Sequence, residues 1–294
     1  MKCKICSADK IETIYKGTIR NGGIGKFTEE EIPVYQCSCC KVIWHENLLE
    51  SSEYYESTEY RDSLEGSSRE EDFYQRHDKE SLDKFLYTGT ERFRNKIVAD
   101  IGCGCGAFLD LVSGAASEVI AVEPSAAYRK IMDRKGFHTF AYGKQAAEVF
   151  GNRAGTVVSF DVIEHVEDPR QFLMEIYDLL EAKGTAVIGT PTDAPIMREL
   201  LGETYEKQIL YSTQHLWIFS EQSLKQLCQE SGFHKVEIKF FQRYGIENVF
   251  SWMIAKEPQA AVVSSIFTDT LNQAWRGQCS DLGLADYMVV YLEK

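Results

Sequence analysis

The sequence predicts an α/β fold built on a doubly wound, mostly parallel sheet, and three features support this expectation. From Ile97 onward, short apolar runs typical of strands alternate with helical patterns, and the connections between them are short. The first of these strands ends in glycines at every second position, Gly102, Gly104 and Gly106, and an apolar helical pattern follows at once. Acidic residues stand at the ends of several strands, where such sheets bind their ligands.

The next elements follow in order along the chain. A strand at 118–123 is followed by Pro124, and Ser125 is placed to cap a helix that runs to Gly136. Three further elements are a weak strand at 137–142, a short helix at 145–150 and a fourth strand at 156–161.

The helix after the fourth strand has well-marked ends. Asp168 is the predicted N-cap, Pro169 takes the first helical position, and Gln171 is placed to close a capping box. Gly184 is the expected C-terminal end, and a fifth strand follows at 185–189.

Two insertions, at about 192–219 and 242–286, interrupt the remaining pattern. Between them lie a helix from Ser220 to Gly232 and a strand at 235–241, and a last strand follows at 287–292. Because extra segments on the ligand-binding edge of an open sheet usually form a lid or a substrate pocket, we expect that role here. Their aromatic side chains suit a sugar ring or another small polar substrate; they include Tyr211, Trp217, Tyr244 and Trp252.

The glycine-rich turn lets a ligand lie directly against the backbone, since glycine accepts positive φ and carries no Cβ. With Ala107 in the third place, this turn also satisfies a relaxed dinucleotide fingerprint. The carboxylate of Asp100 would repel a diphosphate, but it suits a cofactor that carries an ammonium group. Glu123 ends the second strand and can accept both hydrogen bonds of a ribose diol, which would serve NAD equally well.

At this point the chain resembles the class I S-adenosylmethionine-dependent methyltransferases over residues 96–294. The motifs are Asp100-Ile-Gly-Cys-Gly-Cys-Gly106, Val122-Glu123-Pro124, Ser159-Phe-Asp-Val-Ile-Glu-His-Val-Glu-Asp-Pro169 and Gly184-Thr-Ala-Val-Ile-Gly-Thr-Pro191. The third is similar to the fourth-strand motif of quinone-biosynthesis O-methyltransferases and sugar methyltransferases. The resemblance implies a Rossmann-like sheet of seven strands that binds S-adenosylmethionine. A nucleotide-fold domain for another ligand is the alternative.

Carried over to the matching positions, the resemblance implies a cofactor site formed by Asp100, Gly102, Cys103, Gly104, Gly106, Glu123, Pro124, Asp161 and Val162.

Five of the nine cysteines lie close to the N-terminus, where no signal peptide is visible, so we expect reduced thiols. Two C-x-x-C pairs, Cys3 with Cys6 and Cys37 with Cys40, can offer four thiolates to a tetrahedral Zn²⁺. We predict a structural zinc ribbon with a hairpin turning at 21–23. Free buried cysteines are the alternative, Cys39 is a possible substitute ligand, and His45 is expected to be an ordinary packed or surface histidine.

The ribbon and the aromatic-rich stretch after it resemble the N-terminal region of bacterial sugar methyltransferases, in which this module helps to cover the substrate site. We therefore divide the chain into a zinc-ribbon module at 1–60, a helical linker at 61–95 and a methyltransferase domain at 96–294. The linker places Leu82, Phe85 and Leu86 on one helix face, which is expected to pack on the catalytic domain.

Methyl transfer to a hydroxyl requires removal of a proton, and histidine has the most suitable unperturbed pKa. His215 is the preferred base because its segment resembles the histidine-containing loop of sugar methyltransferases, with Tyr211 as the nearby tyrosine. His165, just past the fourth strand, is the second candidate. Sugar C-methyltransferases of this type show a doubled histidine, and only one is present here, so O-methylation is favoured.

The formal net charge of −13 disfavours a nucleic-acid substrate, and the longest apolar runs have only strand length, so we expect a cytoplasmic enzyme without a membrane span. The predicted function is O-methylation of a sugar or nucleotide-linked sugar, in the synthesis of a bacterial surface polysaccharide or secondary metabolite. The alternatives are a zinc-containing RNA-modifying methyltransferase, a sugar C-methyltransferase and a non-catalytic cofactor-binding protein. The sequence does not predict an oligomeric state.

Overall fold

The structure, a computed structural model, describes residues 1–46, 52–57, 59–258 and 266–294. Residues 259–265 of the second predicted insertion lie outside this part of the chain. The chain forms two compact units, each assembled from three segments. Unit 1 contains Met1–Leu49, Thr190–Gln226 and Ile238–Val289, and unit 2 contains Glu50–Gly189, Leu227–Glu237 and Val290–Lys294. The predicted domain boundaries at 60 and 95 stay predictions.

The described residues form two sheets. The strands are β1 Ile11–Gly17, β2 Ile32–Cys37, β3 Ile43–Trp44, β4 Ile97–Ile101, β5 Glu118–Val122, β6 His138–Phe140, β7 Ala154–Phe160, β8 Leu180–Pro191, β9 Trp217–Ile218, β10 Lys235–Phe241 and β11 Tyr287–Glu293. One sheet has the order β10-β11-β8-β7-β4-β5-β6, and the other has the order β1-β2-β3-β9. The predicted seven-stranded, mostly parallel sheet is confirmed.

Helices flank the strands. They are α1 Ser52–Glu56, α2 Glu59–Glu65, α3 Glu70–Thr88, α4 Ala107–Val112, α5 Ala126–Arg134, α6 Gly143–Phe150, α7 Pro169–Leu179, α8 Pro195–Leu201, α9 Glu203–Tyr205, α10 Glu221–Glu230, α11 Ile246–Ala255 and α12 Asp269–Asp281. A 3₁₀ turn covers Thr90–Arg92 and a π turn covers Glu206–Leu210. Within the described ranges, no helix is both long and apolar enough to cross a bilayer.

Strand β4 lies at the point where the strand order of the large sheet reverses, with β5 and β6 on one side and β7 and β8 on the other. Parallel register pairs Asp100 of β4 with Ala121 of β5 and with Val158 of β7. Every residue of β7 is buried, as expected for a central strand of a sheet covered on both faces. The carboxyl ends of β4, β5 and β7 therefore form one edge at a switch point, where open sheets bind ligands.

Helix α7 begins as the sequence predicts. The Asp168 carboxylate accepts hydrogen bonds from the amides of Arg170 and Gln171, each at 3.0 Å, and Pro169 occupies the first turn. The predicted capping box is wrong, because the Gln171 side chain donates to Glu175 at 3.4 Å instead. The predicted helix end at Gly184 is also wrong, since α7 ends at Leu179 and β8 begins at once.

The predicted packing face of the linker helix is only partly correct. In α3, Leu82 and Leu86 are 48% and 62% exposed, whereas Phe85 stacks on Phe93 with ring centroids 5.3 Å apart. The buried residues of α3 are Phe73, Ser81 and Thr88. The helix is therefore rotated relative to the predicted face, and Lys84, between the two leucines in sequence, ion-pairs with Asp161.

Unit 1 contains the four-stranded sheet and a core of its own. Strands β1 and β2 pair antiparallel, and the turn between them closes where the Asn21 amide donates to the Lys26 carbonyl at 2.9 Å, so the predicted hairpin turn is confirmed. Residues of the sheet pack with residues of both insertions. This core includes Ile19, Val34, Ile43, Met197, Tyr205, Leu210, Tyr211, Ile218, Val249 and Trp252.

Candidate functional site

The loop after β4 has a backbone that only glycine accepts easily. Gly102, Gly104 and Gly106 have φ of 82°, 55° and 81°. A Cβ on Gly102 would overlap Val162, and one on Gly104 would lie 2.5 Å from the Phe73 ring. Positive φ therefore favours glycine at all three positions, and close packing also requires it at Gly102 and Gly104.

Glu123 lies at the end of β5 and faces this loop. Its carboxylate accepts a hydrogen bond from the Gly104 amide at 3.0 Å and another from the Ser125 amide at 2.9 Å. Burial raises the pKa of Glu123, and these two hydrogen bonds oppose the rise. An amide of the glycine turn thus donates to a carboxylate of the protein itself, and this bond fixes the side chain that is predicted to bind ribose.

Asp100 is a buried carboxyl one residue before the end of β4. Burial raises its pKa, the Lys84 ammonium lowers it, and the negative charge of Glu123 raises it again, to about 7 overall. Because Lys84 only partly offsets the cost of burying this carboxylate, a ligand that brings a positive charge would stabilise its ionised form.

Lys84 is the residue at this site that sequence analysis missed. Its ammonium lies 3.0 Å from an Asp161 oxygen and 2.6 Å from a Glu80 oxygen. Burial would lower the pKa of Lys84, but the two carboxylates outweigh burial and raise it. The only sequence signal was Glu80 four residues earlier, which is typical of any exposed helix. Asp161 has a φ of 58°, so its backbone turns sharply after β7.

Three other predicted cofactor residues lie around the loop. The Cys103 sulfur is buried 3.2 Å from the Met132 sulfur and 3.5 Å from the Val122 carbonyl oxygen. The Pro124 carbonyl accepts a hydrogen bond from Arg129 at 2.5 Å. Val162 packs against Gly102. Contact of these residues with a cofactor stays a prediction.

The two C-x-x-C pairs come together in unit 1. The sulfur of Cys3 lies 3.6 Å from that of Cys40, and the sulfur of Cys6 lies 3.5 Å from that of Cys37. All four sulfurs lie within 4.8 Å of one another. A tetrahedral ion with Zn–S bonds of about 2.3 Å needs sulfur separations of about 3.8 Å, so the four thiols fit Zn²⁺.

The pKa values of the clustered thiols are shifted in both directions, because burial raises the pKa of Cys3 and of Cys40. Burial raises the pKa of Cys37, but the backbone amides of Cys40 and Cys39 lower it, to about 7 overall. Cys39 itself is exposed and lies outside the four-sulfur cluster. His45 is buried and its Nε2 lies 2.9 Å from the Ser212 carbonyl oxygen, so the expectation of a packed histidine is confirmed.

The three predicted catalytic residues lie in different parts of the chain. In unit 1, His215 is half-buried, and its amide donates to the carbonyl and the hydroxyl of Ser212, both at 3.2 Å. Tyr211 is 2% exposed, and its hydroxyl has no hydrogen-bond partner among the described residues. In unit 2, the amide of His165 donates to the Val162 carbonyl at 2.9 Å. Their catalytic roles stay predictions.

Comparisons with known proteins agree with this geometry. A family model described as "Methyltransferase domain" matches residues 74–238, which is more than half of the chain. Two curated relatives are named ubiquinone biosynthesis O-methyltransferase. The one from Ruegeria pomeroyi is 27% identical over 56% of this chain and 69% of its own length, and the one from Roseobacter denitrificans is 25% identical over 55% and 68%.

The fold has solved counterparts. A SAM-dependent methyltransferase from Archaeoglobus fulgidus superposes with a TM-score of 0.51 at 19% identity, over 76% of this chain and 99% of that one. At this identity the likeness concerns the fold alone. The family match, the sheet order and the acidic edge around the glycine turn lead to one conclusion: the chain belongs to the methyltransferase domain family and is a class I S-adenosylmethionine-dependent methyltransferase.

Proposed function

We propose that this enzyme transfers a methyl group to a hydroxyl of a small polar acceptor, with a sugar or nucleotide-linked sugar as the favoured class. The observation that carries this proposal is the setting of His215. Residues 211–214 and 217–219 on either side of it are buried, whereas His215 is half-buried. The loop therefore offers the imidazole, with the half-buried Leu216 beside it, between two buried stretches.

The residues at the carboxyl ends of the strands fit the cofactor. S-adenosylmethionine supplies, when bound, an electrophilic methyl group on a sulfonium. Asp100 would hold its ammonium group, because the Lys84 ammonium only partly offsets the burial of this carboxyl. Glu123 would hold the ribose hydroxyls from its fixed position beside the glycine turn.

His215 would act on the acceptor. An aliphatic hydroxyl is a poor nucleophile near neutral pH, and a neutral imidazole can remove its proton as the new bond forms. A loop that holds the imidazole in one place supports in-line alignment of the acceptor oxygen. His165 remains the second candidate base.

The four clustered cysteines would hold one structural Zn²⁺. Four thiolates leave no open coordination position for a substrate, so the metal would contribute to folding and not to the chemical step.

A second candidate acceptor class is a phenol. The curated relatives are named ubiquinone biosynthesis O-methyltransferase, and the reduced form of a quinone ring carries phenolic hydroxyls. The histidine-containing loop and the N-terminal ribbon favour a sugar instead.

The test is methyl transfer from labelled S-adenosylmethionine to two panels, nucleotide-linked sugars and substituted catechols, with products identified by mass spectrometry. The sugar proposal requires turnover in the first panel, and turnover in the second panel alone would replace it. His215→Ala is expected to lower kcat about 100-fold. The matched control is His234→Ala, since the His234 side chain is 61% exposed on unit 2. Equal activity of both variants would exclude His215 as the base.

A further inference from the structure

We propose that the N-terminal ribbon is a positioning device for the loop that carries His215, and that His45 is its positioning residue. This inference rests on the proposed function of His215. The ribbon is defined here as residues 1–46 and the loop as residues 211–220, and both belong to unit 1.

The start of the loop is bonded to the segment before the β1–β2 turn. The Arg20 amide donates to the Tyr211 carbonyl at 3.1 Å, and the Thr213 amide donates to the Arg20 carbonyl at 2.9 Å. These two bonds form a short parallel bridge between Arg20 and Ser212. The Thr213 hydroxyl also donates to the Asn21 side-chain oxygen at 3.1 Å. The start of the loop is thus bonded to two neighbouring ribbon residues, to the backbone of Arg20 and to the side chain of Asn21.

His45 holds the middle of the loop. It is 5% exposed, and its Nε2–H donates to the Ser212 carbonyl oxygen at 2.9 Å. The same carbonyl accepts the His215 amide at 3.2 Å, so His45 braces the turn that sets the position of His215. Burial lowers the pKa of His45, while its hydrogen bonds to the backbone of Ser212 and of His215 oppose that change.

The end of the loop is bonded to the ribbon again. Strand β9 pairs antiparallel with β3, matching Ile218 with Ile43 and Trp217 with Trp44. The Ser220 hydroxyl then donates to the carbonyl of Cys40 at 2.6 Å. Cys40 is one of the four clustered cysteines. The ribbon therefore bonds the loop at its start, middle and end, and the last bond leads directly to the candidate metal site.

Holding the loop at three points would serve catalysis as well as stability, because it would fix the position of the His215 imidazole. General-base catalysis depends on the imidazole being within hydrogen-bond reach of the acceptor proton, and small displacements of a catalytic group lower the rate strongly. A loop of two-residue strands and turns has little regular structure of its own to maintain that position. The ribbon supplies it through backbone hydrogen bonds and the buried imidazole of His45.

The test uses two substitutions of His45 in the full-length, zinc-loaded protein. His45→Phe keeps the ring volume and removes the donor, whereas His45→Gln keeps an N–H group at a similar reach. For His45→Phe we expect amide hydrogen exchange of residues 211–220 to rise up to about tenfold, with exchange of residues 97–125 and zinc content unchanged. We also expect kcat of His45→Phe to fall about tenfold, with the KM for S-adenosylmethionine unchanged. His45→Gln is expected to retain most of the wild-type exchange protection and most of the wild-type kcat.

Unchanged exchange and kcat in His45→Phe would overturn the inference. Faster exchange throughout residues 1–46 together with zinc loss would also overturn it, because His45 would then only stabilise the ribbon. If His45→Phe does not fold, Thr213→Val, which removes the hydroxyl bond to Asn21, is expected to give a smaller change of the same kind, and no change would count against the proposal. If His215→Ala keeps full activity while His45→Phe still loosens the loop, the positioning stands and the base assignment fails.

Discussion

Protonation of Asp100 is expected to compete with cofactor binding. Burial, partly offset by Lys84, places the pKa of Asp100 at about 7 in the unliganded protein. A bound ammonium group favours the carboxylate and lowers that pKa, so binding below neutral pH must release a proton. Affinity is therefore lost as the pH falls through about 7. The cofactor's own α-amino group ionises near about 8 and stays charged in this range.

The size of the loss in cofactor affinity follows from the change in the pKa of Asp100 on binding. If the pKa of Asp100 falls by several units in the complex, lowering the pH from about 7 to about 5.5 weakens binding about fifteenfold, or ~1.6 kcal/mol.

The same carboxyl links folding to pH, because its pKa in the folded protein lies above the value in the unfolded chain. Asp100 therefore stabilises the unliganded fold most below about pH 4, and this contribution is lost as the pH rises through about 7.

The assay is calorimetric titration with S-adenosylhomocysteine, which carries the same ammonium group, in buffers of different ionisation enthalpy. Close to one proton should be released per ligand at the lower pH and about half of one near pH 7. Asp100→Asn should bind weakly and lose this dependence. Because burial also raises the pKa of Glu123, Glu123→Gln is needed as a second variant, and it should keep the dependence. A dissociation constant that does not change over this range, with no proton released, would refute the reasoning.

Three further outcomes are expected. Gly102→Ala combines a strained positive φ with an overlap onto Val162 and should lower the free energy of thermal unfolding by about 2–4 kcal/mol. Gly136→Ala, with φ of 80° and open space, should lower it by about 1 kcal/mol, and equal losses would contradict the overlap. Cys37→Ser should remove most of the zinc measured by elemental analysis and Cys39→Ser should not, so equal zinc content in the two variants would exclude the proposed tetrad. Asp168→Ala should lower the free energy of unfolding in urea by about 1 kcal/mol, and Asp168→Asn should retain the cap; no difference between them would count against the capping role.

The sequence was most informative where local chemistry determines structure. Glycines after an apolar run marked the turn that follows β4, and Asp168 with Pro169 marked the start of α7. Paired cysteines marked a cluster that the fold brings together. In each case residues close in sequence carry the physical cause, so a single sequence contains the signal.

Long-range pairs were not predictable in this way. Lys84 lies in a helix whose leucines suggested a different buried face, and its partner Asp161 follows β7, far away in the sequence. Strands β3 and β9 have two residues each, too few for a periodic pattern. Their pairing joins residues 43–44 to residues 217–218, and no local rule predicts it.

The pairing of β3 with β9 has a consequence for biosynthesis. Strands β1 to β3 are synthesised before the large sheet, yet β9, the second neighbour of β3, is made only after β4 to β8. Until then β3 is an open edge, a kind of surface that readily recruits strands from other chains. Early metal loading would hold the nascent hairpin in shape during this interval, so zinc-starved cells should accumulate this polypeptide as aggregates rather than as an inactive but folded enzyme.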